Sequence, residues 1–246
     1  SACGMGTVGE GHAFVSIGTS GVLFAANDAY RPSPQTAVHT FCHALPATWH
    51  QMGVILSATD SLNWLSDITG REAADLTAEL GDTLKAPTGV TFLPYLSGER
   101  TPHNDAAIRG VFAGLGHESG RAALTQGVLE GVAFAFRDSL EALHAAGTEL
   151  SRVTAIGGGS RSRYWLKAIA TALGRPVDIP SDGDFGAAFG AARLGLIAAE
   201  GADPLAVCTP PATAETIEPD AGLTQAFADA YRRYCALYPA VKNAGH

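Results

Sequence analysis

Apolar and polar residues alternate over residues 13–24 on both sides of a Gly18-Thr19-Ser20-Gly21 turn, which predicts two antiparallel strands joined by a tight hairpin. Residues 38–43 alternate again as a strand. Over 52–64 the apolar spacing becomes helical, with residues 67–70 as the stop, and Gly53, Ser57 and Ala58 on that stretch would permit close packing. A short helix is predicted over 75–81, followed by a β-rich run over 89–96 that Ser97 and Gly98 halt. Over 119–146, Leu124, Val128, Val132, Phe136, Leu140 and Leu143 keep helical spacing, and Gly147 supplies the stop. Strand, helix, strand and helix follow over 152–156, 162–173, 176–179 and 185–199. Beyond Ala202 the chain turns Pro- and Thr-rich before a last helix over 223–238.

An antiparallel hairpin followed by strand–helix alternation predicts an α/β domain, its sheet mixed but largely parallel, with helices on both faces. Of the 246 residues 46% are apolar, enough for one substantial core, and neither an internal repeat nor a second core is evident. The net charge of −8, with no cluster of Lys or Arg, argues against nucleic acid as a partner. No apolar run reaches the roughly 18 residues of a membrane span and no signal peptide opens the chain. Four widely separated cysteines, Cys3, Cys42, Cys208 and Cys235, indicate neither a disulfide framework nor a zinc site. A soluble protein of a reducing cytoplasm is the expectation.

Three glycine-rich turns carry the chemistry: Ile17-Gly18-Thr19-Ser20-Gly21, then Gly98-Glu99-Arg100-Thr101-Pro102-His103, then Ile156-Gly157-Gly158-Gly159-Ser160. An apolar run entering a turn of Gly, Ser and Thr presents backbone N–H groups and hydroxyls to an anion, because glycine lets the main chain approach closely. Gly18, Thr19 and Ser20 are candidates for terminal phosphates, with an ordinary hairpin turn as the alternative. Gly158, Gly159 and Ser160 lie between a strand and a helix, where flat glycines would admit an aromatic base. Glu99, Arg100 and His103 would line a cleft or, more simply, form an ion pair that fixes their loop. Asp184 and Gly186 would cap the following helix or face a nucleotide.

In this order the turns resemble the C-terminal half of the FGGY carbohydrate kinases, most closely the branch that phosphorylates xylulose. The second family signature is recognisable from Gly110-Val111-Phe112-Ala113-Gly114-Leu115 to Val128-Leu129-Glu130, with departures at Ala123 and Gly127. The resemblance implies an actin/hexokinase-like (ribonuclease H-like) ATPase domain that uses ATP and Mg²⁺ and binds ATP or ADP. Residues 1–246 would form a single ATP-binding domain, with a core over 1–201 and an extension over 202–246.

By the same resemblance a glycine such as Gly159 sits beside adenine, Arg163 stacks near it, and Asn63, with Thr59 one turn earlier, contacts the nucleotide. The implied acceptor is a ketose, D-xylulose giving D-xylulose 5-phosphate. Ribulose, gluconate or glycerol kinases, or a non-catalytic actin-like module, are the alternatives. The family's catalytic aspartate lies in a Gly-Gly-Asp segment just before the position of Ala2-Cys3-Gly4. The base and an N-terminal sugar-binding domain of the same polypeptide are therefore expected outside this chain, which alone would be inactive. A homodimer is left open.

Two patterns are set aside. Gly4-Met5-Gly6-Thr7-Val8-Gly9 has dinucleotide-binding spacing but no preceding strand, and His39-x-x-x-His43 with Cys42 falls on a strand, where the two imidazoles stand too far apart for one ion.

Overall fold

The computed structural model describes residues 1–181 and 186–244. Among the described residues nine strands occur: β1 (Ala13–Ile17), β2 (Gly21–Asn27), β3 (His39–Cys42), β4 (Trp49–Ile55), β5 (Thr91–Leu93), β6 (Val111–Ala113), β7 (Val153–Ile156), β8 (Val177–Pro180) and β9 (Thr213–Ile217). The helices are α1 (Thr59–Thr69), α2 (Ala73–Ala78), α3 (Arg121–Ala145), α4 (Arg163–Leu173), α5 (Ala187–Glu200), α6 (Pro204–Val207) and α7 (Thr224–Asn243). Seven strands form one sheet in the order β3-β4-β2-β1-β7-β8-β9, and β5 and β6 pair apart.

Only the β1–β7 and β7–β8 neighbours run parallel. The other four pairs in this sheet are antiparallel, so the sheet is mixed without being largely parallel. Part of the difference comes from β4. Its burial alternates with a period of two, with Gln51, Gly53 and Ile55 buried, and it lies between β2 and β3 along the stretch expected to begin a helix. The helix starts only at Thr59. At the opposite edge, the Thr-rich segment supplies β9, antiparallel to β8.

One face of the sheet presents Val15, Ile17, Leu23, Ile55, Val153, Ala155 and Val177 to the main core, which α1, α3, α4 and α7 complete. Helix α3 runs for about 37 Å at 1.5 Å per residue and is buried along most of its length. Gly131 in α3 faces Phe92, whose carbonyl oxygen would lie 2.3 Å from an added Cβ, so only glycine lets α3 close on β5. Phe227, Ala230 and Tyr234 of α7 also enter this core, which therefore extends beyond residue 201. On the second face Met5, Phe14 and Phe24 cluster, and Cys3, Val8, Leu45 and Cys208 pack against Leu194 and Ile197 of α5.

Candidate functional site

Both glycine turns expected to bind anions emerge at the same end of the sheet, after β1 and β7. Gly18, Thr19 and Ser20 form the β1–β2 connection, with Thr19 and Ser20 exposed. Among the described residues their three amides donate to no acceptor. The carbonyls of this turn are used: Gly18 accepts from the Thr59 amide at 2.8 Å, and Thr19 accepts from Ala58 at 2.8 Å and Asp60 at 3.3 Å. The hairpin tip thus caps the start of α1 with main-chain oxygens, and its own N–H groups remain available.

Gly157 opens the second turn at φ 90°. A Cβ there would lie 2.8 Å from the Ile17 carbonyl oxygen and 3.0 Å from its carbon. Gly159 is buried against the Ile17 side chain and Trp165, whereas an added Cβ at Gly158 meets nothing within 4 Å. The first and third glycines therefore let the turn approach the end of β1, and the second faces open space. The Ser160 hydroxyl donates to the Gly157 carbonyl at 2.7 Å and closes the turn, and the Ser162 side chain accepts from the Trp165 amide to begin α4.

Between the second of these turns, α1, α2 and the start of α4 lies a cleft of about 410 Å³, lined by Thr59, Leu62, Asn63, Ala73, Ala74, Thr77, Gly158, Gly159, Arg161, Ser162 and Trp165. Thr59, Asn63, Gly158 and Gly159 are thus brought together as the sequence suggested, while Ser160 lines a smaller hollow of about 270 Å³ behind them. Arg163 is not brought to the cleft. Its Nη1 donates to Glu215 of β9 at 2.7 Å, and Arg161 lines the cleft in its place. Sequence reasoning missed Ala73, Ala74 and Thr77, since small residues on a short helix carry no chemical signal. Ser162 was missed as well, although a serine directly after the glycines and before a helix is an N-cap signal that could have found it. Asp184 lies outside the described residues.

The Gly98–His103 block serves a different purpose. Beyond the end of β3 the edge of β4 has no strand partner, and this block takes its place. The Thr101 amide donates to the Val54 carbonyl at 3.1 Å, the Thr101 hydroxyl accepts from the Val54 amide at 3.0 Å, and Glu99 Oε1 accepts from the Leu56 amide at 3.0 Å and the Arg100 amide at 2.7 Å. Glu99 is 2% exposed, and its Oε2 is buried without a partner. Burial raises its carboxyl to about 8, against the pull of the two amides. The expected Glu99–Arg100 ion pair is replaced by these amide bonds, and the Arg100 guanidinium instead reaches His39 Nε2 at 3.2 Å. His103 stacks on Tyr238 of α7 at 3.5 Å, and burial lowers its imidazole to about 4.

The signature residues are equally structural. Gly114 packs on the Gly89 carbonyl, and Glu130 is buried in α3, accepting from Gln126 at 2.7 Å, with burial raising it to about 8. Among the described residues no group of three or more His, Cys, Asp or Glu is placed to hold a metal ion.

Residues 13–199 match the FGGY family of carbohydrate kinases, C-terminal domain. The xylulose kinase of Escherichia coli (strain K12) is 47% identical over 201 residues, covering 80% of this chain and 41% of the relative. A crystal structure of a xyloylose (xylulose) kinase from Brucella ovis superposes with a TM-score of 0.98 at 70% identity, covering 99% of this chain and 50% of that one. The xylulose kinase of Rhodospirillum rubrum superposes with a TM-score of 0.86 at 29% identity, covering 98% and 49%. The fold is that of the actin/hexokinase-like ATPase domain of sugar kinases. The chain spans about 41% of the length of the Escherichia coli relative.

Proposed function

The chain belongs to the FGGY family of carbohydrate kinases, and from that membership we propose that it is the ATP-binding part of an enzyme that phosphorylates the terminal hydroxyl of D-xylulose. The observation that carries this reading is the convergence, at one end of the sheet, of a turn with three unused amides and a cleft beside an open glycine. Bound ATP with Mg²⁺ supplies the phosphoryl group and the ion that neutralises its oxygens. The Gly18, Thr19 and Ser20 amides donate to the phosphate oxygens, and the exposed Thr19 and Ser20 hydroxyls add further donors. Thr59 and Asn63 form one wall for the adenosine end, and Gly158 and Gly159 the other. Ser160 holds the glycine turn in shape, and Arg163 stays with Glu215.

The proton acceptor for the sugar hydroxyl lies, in this proposal, in the remainder of the polypeptide, because the xylulose kinases that this chain resembles are about twice its length. ADP release from Mg-ATP and D-xylulose is the test, with this chain alone and with the full-length protein. Turnover confined to the full-length protein and specific to D-xylulose supports the proposal. Turnover by residues 1–246 alone would place the base within this chain, and full-length protein that transfers phosphate only to another polyol would refute the substrate.

Gly158→Phe separates the cleft from the fold. With open space around Gly158, the variant is expected to melt within about 2 °C of the parent. The ring fills the cleft, so calorimetric titration with Mg-ATP should show at least a roughly tenfold loss of affinity. Unchanged affinity would move the nucleotide elsewhere.

A further inference from the structure

Cys3 and Cys208 are 205 positions apart in the sequence, yet the fold lays their segments side by side on the second face of the sheet. Both are buried, free thiols in one apolar cluster with Val8 and Leu45. The backbones on either side confirm the alignment. One guanidinium nitrogen, Arg193 Nη1, donates at once to the carbonyls of Cys3 (2.9 Å), Gly4 (3.0 Å) and Thr209 (2.9 Å). Gly6 packs so closely on the next peptide that an added Cβ would lie 2.3 Å from the Pro210 nitrogen. Two buried thiols of one apolar cluster, on adjacent and anchored segments, are brought together by the fold as a disulfide requires.

We propose that Cys3 and Cys208 are a redox modification site, joined by hydrogen peroxide into an intramolecular disulfide that ties the N-terminal segment to the stretch entering β9. One sulfur takes an oxygen atom from the peroxide, giving a sulfenic acid and releasing water. The second thiol attacks that sulfur, the S–S bond forms, the S–O bond breaks and a second water leaves. The two sulfurs give two electrons and two protons to one peroxide. Burial, then the neighbouring Cys208 thiol, hold Cys3 above the usual thiol range while Arg193 pulls it down, so reaction is slow and selective for a small oxidant.

The full chain is treated with hydrogen peroxide, its remaining thiols are alkylated after unfolding, and the digest is mapped by mass spectrometry. The expected product is a linked Cys3–Cys208 peptide pair, two hydrogens lighter than its parts and released by dithiothreitol, with Cys42 and Cys235 alkylated. Recovery of Cys3 and Cys208 both alkylated, or of either linked to Cys42 or Cys235, overturns the proposal. Cys208→Ser should abolish the link. If that variant does not fold, the map of the parent protein decides alone.

Discussion

Gly157→Ala is expected to destabilise the protein by about 3–4 kcal/mol and to lower its melting temperature by roughly 10 °C. Two costs add. The residue sits at φ 90°, where an L side chain is strained by about 1–2 kcal/mol. Its Cβ would also press on the Ile17 carbonyl oxygen at 2.8 Å, and that atom belongs to the strand leading directly into the Gly18–Ser20 turn. A flexible side chain would rotate away, but a backbone carbonyl in a paired strand moves only with its neighbours. The variant therefore displaces the end of β1 and should weaken ATP binding well beyond its effect on melting. Calorimetry and ATP titration on the same sample check both halves; a melting temperature within about 2 °C of the parent would show that β1 and β7 do not meet as described.

The second large effect concerns Glu99 and pH. Its folded carboxyl titrates near 8, above an unfolded value near 4.5, so the folded state binds the extra proton across that interval. Stability is thus fully present below about 4.5 and declines as pH rises through 8, by as much as ~5 kcal/mol for this group. Glu130 acts in the same direction over the same window, and Asp138, raised by burial to about 6, over a narrower one. Glu99→Gln keeps an acceptor for the Leu56 and Arg100 amides and removes the charge. It should match the parent near pH 5 and exceed it at pH 9. Glu99→Ala leaves both amides unpaired above a cavity and should cost roughly 2–4 kcal/mol at pH 6. Parallel pH profiles of melting temperature for parent and Glu99→Gln would contradict the assignment.

Elements defined by local periodicity were legible in the sequence: the β1–β2 hairpin, α3 with its Gly147 stop, β7, α4 and β8 all lie within a few residues of their expected places. The failures share a cause, which is that the deciding interaction is distant. The apolar spacing over 52–64 suits a helix, but pairing of Trp49–Ile55 with β2 on one side and β3 on the other overrides it in the first part of that stretch. β9 has a single buried residue, Ile217, so nothing apolar announces it; its place comes from β8 more than thirty residues earlier. In the cleft, the glycines could be named because a glycine-rich turn between strand and helix carries a signal, whereas Asn63 and Thr59 came from the family resemblance alone. Arg163 was expected from the family resemblance, which implies a side chain four residues after the glycine, but its partner Glu215 lies 52 residues away and draws it off. The Glu99 block looked like a charged loop, and only the fold reveals the strand edge that it occupies.

The three main-chain bonds from the start of α1 to the Gly18–Thr19 carbonyls join the hairpin turn and the Asn63 wall into one rigid piece. That piece works as a ruler. The span between the hairpin tip and the α1 wall is fixed by these main-chain bonds, so substitutions at exposed α1 positions change what the wall touches without changing the length it measures. On the proposed reading, a ligand too short to reach both marks makes only half of the contacts, and selectivity for phosphate-chain length follows from the main chain itself.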